Sequence, residues 1–145
     1  MNMTWDRMNT LLRSELSAVE TYQQALGKAE DRFGHETEFQ QLEAVLNDHQ
    51  QAATRLETGI RELGGTPAHD SGAWGTWSKV VMGTAKLFGE KSALKALKEG
   101  EESGLKKYQE ALQDTALPAE VESLLNTFAA NQQAHIRTLD GLMAA

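Results

Sequence analysis

The chain has no cysteine and only two prolines, Pro67 and Pro118, in 145 residues. The first absence excludes disulfides, thiolate metal sites and thiol chemistry. The second leaves room for long unbroken helices, because a helix interior tolerates proline poorly. Positive charge is also scarce. The formal charge is −7 at pH 7, and Lys and Arg are scattered except between Lys86 and Lys98, where acidic and apolar residues intervene. Nucleic-acid binding needs a basic stripe, so nucleic acid is not an expected partner. No apolar run approaches the ~18–20 residues of a membrane span. The first sixteen residues mix Asp6, Arg7, Arg13 and Glu15 with apolar positions, unlike a secretory signal. The expectation is a cytoplasmic all-α protein with one domain over residues 1–145. No phosphate loop or nucleophile–base pair is visible, and no catalytic residue is assigned.

What is present is helical periodicity. Apolar positions recur in steps of three and four from about Thr4 to Phe33, through Met8, Leu11, Leu12, Val19, Tyr22, Ala25 and Leu26. Thr4 suits the N-cap and Gly34 the C-terminal stop. A second stripe, Phe39, Leu42, Leu46, His49, Ala53, Leu56, Ile60 and Leu63, predicts a helix over 36–63, closed by Gly64-Gly65 and Pro67. A third, Leu94, Leu97, Glu101, Leu105, Tyr108 and Leu112, predicts a helix over 91–115. The fourth starts at Pro118, suited to a first turn, and carries Val121, Leu124, Leu125, Phe128, Gln132, His135, Leu139 and Leu142. Glu15, His49, Glu101 and His135 all fall on these otherwise apolar stripes. Asp48 and Glu102 flank them but turn away, and are at best spare ligands or supports for a ligand.

The two halves echo each other. Glu15 and Glu101 each precede a tyrosine by seven residues, and each tyrosine opens Gln-x-Ala-Leu. Tyr22 and Tyr108 are 86 residues apart, as are His49 and His135. The chain therefore reads as one helical hairpin over 4–64, a crossover over 65–90, and a second hairpin over 91–143. Two amphipathic hairpins bury their faces as an up-down four-helix bundle. The crossover is too long to be structureless, and Trp77, Val81, Thr84 and Phe88 predict a short helix in it.

Residues equidistant from a hairpin turn lie at one level. The midpoint of Glu15 and His49 is position 32, and that of Glu101 and His135 is Pro118, both in predicted turns. Each Glu should face its own His, roughly 25 Å above the turn at 1.5 Å per residue. Four ionisable groups in a core need partners. Either they pair as Glu15–His49 and Glu101–His135, or they hold a first-row metal, a donor set suited to iron, manganese or zinc.

Glu-Leu-Ser-Ala-Val-x-x-Tyr at residues 15–22 resembles the first-helix motif of bacterioferritins, and the repeated hairpins resemble the ferritin-like superfamily over nearly the whole chain. The resemblance implies iron ligation by Glu15, His49, Glu101 and His135, a role in iron handling or stress response, and a homo-oligomer. That family carries Glu-x-x-His on its second and fourth helices, the Glu bridging two metals. Here Leu46 and Gln132 occupy the bridging positions, so one ion is expected rather than two, without di-iron oxygen chemistry. Glu62-Leu63-Gly64-Gly65-Thr66-Pro67, Glu99-Gly100-Glu101, Tyr108 and His135 resemble an uncharacterised bacterial branch of these bundles, a domain of unknown function. The alternative is a non-catalytic bundle for interaction or assembly, its polar layer structural.

Tyr22 and Tyr108 are expected as core aromatics whose hydroxyls find a partner. His35 and His69 fall in turns. The Trp74–Phe88 stretch is expected to pack on the bundle, and is otherwise the candidate partner surface.

Overall fold

The computed structural model describes residues 3–27, 36–72, 76–88 and 90–144. They form α1 (Met3–Gly27), α2 (Glu36–Glu62), α3 (Thr76–Phe88), α4 (Glu90–Leu112) and α5 (Ala119–Ala144), with no strand among them. α1 pairs with α2 and α4 with α5, and the two hairpins meet through α1–α4 and α2–α5 contacts to close a four-helix bundle. The turn expected at residues 31–34 lies outside the described residues, as do the end of the first predicted helix, His35 and Trp74.

The helix ends follow local chemistry. α1 begins at Met3, so Thr4 stands inside its first turn instead of capping it. α2 stops where Gly64 takes φ 84°. Gly65 N–H then donates to Ile60 C=O and Gly64 N–H to Arg61 C=O, the paired bonds of a glycine-terminated helix. α4 ends at Leu112, three residues short of expectation. There Gln113 and Asp114 make tighter backbone bonds, to Glu110 and Ala111, and Asp114 accepts from Ala116 N–H. Pro118 precedes α5 rather than opening it, and its carbonyl accepts from Glu122 N–H.

The crossover is fastened to α1. Asn9 donates to Thr66 C=O and accepts from Ala68 N–H, Arg13 pairs with Asp70 at 2.8 Å, and Ser71 donates to Glu20. α3 then packs on α1 and α4. This widens α1's buried face to Ser17, Ala18 and Thr21, while Val19 of the expected seam is only half-buried.

Of the proposed partner surface, Trp77 is half-buried and Val81 fully buried. Trp77 Nε1 donates to Ala96 C=O, and its ring meets Tyr22 edge-on at 6.1 Å. Among the described residues there, Val80 is exposed. The Trp77 ring lies where a side chain at Gly100 would stand. Gly100→Ala is thus expected to lower the unfolding free energy by about 1–3 kcal/mol, measured by urea denaturation. An unchanged midpoint would mean that Trp77 moves aside freely.

The apolar interior is in two parts. One holds Met8, Leu12, Leu56, Ile60, Leu125 and Phe128. The other holds Ala25, Leu42, Leu94, Leu97, Leu139 and Leu142. Along every bundle helix, one polar level divides them: Glu15 on α1, His49 on α2, Glu101 on α4, and Gln132 with His135 on α5, all buried.

Candidate metal centre

The level is held together by direct hydrogen bonds. His49 Nδ1 lies 2.7 Å from Glu15 Oε2, and His135 Nδ1 lies 2.8 Å from Glu101 Oε1. Each Glu therefore faces the His of its own hairpin, as equal distances from the turns require. The two pairs then join. His49 Nε2 lies 2.7 Å from Glu101 Oε2, linking the hairpins through one carboxylate. The imidazole rings sit 4.8 Å apart between centroids. Glu101, with no exposed surface, is the hub: both histidines and Tyr22 contact its two oxygens.

The tyrosines cross between hairpins. Tyr22 O–H donates to Glu101 at 3.0 Å, and Tyr108 O–H donates to Glu15 at 2.9 Å. Tyr22 also stacks on His49 at 5.5 Å. The heptad spacing from Glu to Tyr hinted at a shared face. It could not show that each hydroxyl serves the carboxylate of the other half.

Asp48 takes the supporting place that is the most expected of it. Helical spacing turns it from the stripe, yet its Oδ2 lies 2.8 Å from His135 Nε2. It stands on the flank of α2 that meets α5, a relation set only when the hairpins dock. Its equivalent in the repeat is Ala134, so this arm of the network has no copy on the other side. Glu102, the other flanking residue, is exposed. Gln132, at a bridging position, donates to the Glu101 backbone carbonyl at 3.1 Å and passes closely over Gly104. Leu46 is half-buried among the apolar side chains.

Electrostatics follow from burial and neighbours. Burial by itself lowers the His49 pKa, but the Glu101 and Glu15 carboxylates outweigh it and hold the ring well above its usual value. Both His49 nitrogens then donate, one to each glutamate. Burial pushes the Glu101 pKa up, but His49 and His135 outweigh that and bring it down to about 2. Burial, reinforced by the neighbouring carboxylates, raises both tyrosines and keeps them neutral donors. Every buried side-chain N or O among the described residues has a partner.

Three of the four expected ligands come together as a potential coordination set. His49, Glu101 and His135 place ligand atoms within 4.8 Å of one another. Glu15 stands apart from that set because it occupies the far nitrogen of His49.

Residues 3–114 match the sequence profile described as Domain of unknown function (DUF2383). The chain belongs to the DUF2383 family. No curated protein sequence matches it. Among solved structures, the DUF2383 bundle superposes on one described as ferritin like, diiron-carboxylate proteins from Bacillus anthracis str. Ames. The TM-score is 0.80 at 20% identity, over 99% of both chains. The fold is thus ferritin-like, with α3 as the additional short helix. No described helix is long and apolar enough to cross a membrane.

Proposed function

We propose that the buried level binds one divalent first-row transition-metal ion, held by His49, Glu101 and His135. The observation that carries this is the convergence of those three ligand atoms, from three helices, around the Glu101 carboxylate. Two imidazoles and one carboxylate are a donor set used by non-haem iron(II), and they also suit manganese and zinc. Ligating histidines characteristically donate their other N–H to a carboxylate or carbonyl. Glu15 stands at that position for His49, and Asp48 for His135.

The fold relative is described as diiron-carboxylate. Here Leu46 and Gln132 supply no bridging carboxylate, so the reading is one ion, in iron handling or protection against oxidative stress. A bound ion of this kind supplies Lewis acidity and, as iron or manganese, one-electron chemistry. The chain's own residues hold the rings in register and exclude water.

Elemental analysis after loading with anaerobic Fe(II), Mn(II) or Zn(II) tests the reading. One ion per chain is expected, falling to a trace in His49→Ala. Glu15→Gln should retain the stoichiometry with affinity about 10–100-fold weaker, as befits a residue that orients a ligand. Absence of tight binding, or unchanged uptake by His49→Ala, would overturn it.

A second reading has its own support, the complete pairing of buried polar atoms. In it the level is a register device that fixes how the hairpins dock, at some cost in stability.

A further inference from the structure

The metal reading leaves open how an ion reaches a level whose glutamates, histidines and tyrosines are at most 3% exposed. The two faces of the bundle differ in this respect. On the α1–α4 side, α3 lies over the seam, with Trp77 set above Gly100. On the α2–α5 side, no further helix lies across the seam among the described residues. Asp48 sits on that side, its side chain 45% exposed and its carboxylate on His135. It is the one member of the network that touches both solvent and a candidate ligand.

The two arms also differ in how they are held. Glu15, which holds the far nitrogen of His49, is itself buried and held by Tyr108. Among the described residues, the observed partner of the Asp48 carboxylate is His135. A cation arriving at Asp48 meets an exposed carboxylate oxygen first and the His135 ring next. Breaking that bond leaves the ring held at Nδ1 by Glu101 and opens its Nε2 to another partner.

We propose that Asp48 is the gate of the site: it captures the divalent cation from solvent at the α2–α5 seam and passes it inward through His135. This rests on the metal-binding reading. It adds that Asp48 controls the rate of loading while His49, Glu101 and His135 set capacity.

Stopped-flow uptake of Co(II), followed by its d–d absorbance, separates the two claims. In wild type the bands should appear and saturate at one ion per chain. At saturating Co(II), Asp48→Ala and Asp48→Asn should fill to that same one ion per chain, with affinity about 10–100-fold weaker for the lost partner of His135, as in Glu15→Gln, and with uptake at least about tenfold slower, the lower end of what an oppositely charged cleft adds to an on-rate. Asp48→Glu should restore most of the rate. Glu102→Ala removes an equal charge from an exposed site next to Glu101 in sequence, and should load at the wild-type rate. Equal rates for wild type, Asp48→Ala and Asp48→Asn would overturn the gate. So would equal slowing by Glu102→Ala, which would assign the effect to overall charge, or an endpoint below one ion per chain for Asp48→Asn at saturating Co(II), which would make Asp48 a ligand. Wild-type protein that takes up no Co(II), Fe(II), Mn(II) or Zn(II) removes the metal reading and the gate with it.

Discussion

Glu101→Ala is expected to unfold with a free energy about 3–5 kcal/mol below that of wild type, and to bind no metal. The size follows from what is left behind. Removing one partner of a buried ion pair strands the other charge away from water. Glu101 is a partner three times over, to His49, His135 and Tyr22. Glu101→Gln separates charge from shape. Gln presents one carbonyl oxygen where two carboxylate oxygens now accept, so its amide NH₂ must face a ring N–H or the tyrosine hydroxyl. It should remain folded, lose metal, and fall between wild type and Glu101→Ala in urea unfolding.

The complementary variant removes the buried carboxylates, imidazoles and phenol hydroxyls together, leaving Asp48 at the solvent-facing edge. Apolar residues at Glu15, His49, Glu101 and His135, with Tyr22→Phe and Tyr108→Phe, strand no charge. Such replacements are often neutral or stabilising by about 1–4 kcal/mol. A stable fold with no metal would show that the level is present for binding or register, not for stability. Severe loss of folding would count against the register reading. Equal stability of Glu101→Ala and wild type would contradict the hub geometry itself.

Apo-protein stability should be greatest in a mildly acid window, and metal should shift it to alkaline pH. Glu101 is depressed from 4.5 to about 2, so its contribution is complete above about pH 4.5 and lost as pH falls toward 2. His49 is raised above 6.5, so its contribution is complete below about 6.5 and lost as pH climbs through the raised value. The raised tyrosines add a further loss above about pH 10. Together these place the apo maximum between about pH 4.5 and 6.5.

A metal ligand must be unprotonated, so binding displaces the His49 proton. While that proton is bound in the apo-protein, affinity should rise about tenfold per pH unit. The increase in Tm on adding Zn(II) should accordingly be larger at pH 8 than at pH 6, and calorimetry in buffers of different ionisation enthalpy should detect proton release. A metal-induced Tm shift that is the same at both pH values would show that His49 is not displaced from its proton and is not a ligand.

The four residues on the stripe were legible because two one-dimensional quantities locate them. Three-and-four spacing places Glu15, His49, Glu101 and His135 on the inner face. Equal distance from a turn places each Glu at the level of its His. Both pairs duly meet across their own hairpins, at 2.7 and 2.8 Å. The same reasoning allowed Asp48 at most a supporting place and could not name the ligand it supports, because position on one helix says nothing about which neighbouring helix covers its flank. It placed the tyrosines in the core with a partner for each hydroxyl but could not name that partner, which belongs to the other half of the repeat.

The sequence alone thus determined the five helices, their pairing as repeated hairpins and one polar level in the interior, since periodicity and separation along the chain are enough for these. Only the tertiary structure decided that Glu101 is shared by both histidines, that Glu15 holds the far edge of one ring and Asp48 that of the other, and that α3 covers one side while Asp48 faces solvent on the other. Those outcomes depend on the rotation of each helix about its axis and on how two hairpins dock. These are set by packing across all four helices together, and no spacing within any one of them encodes them.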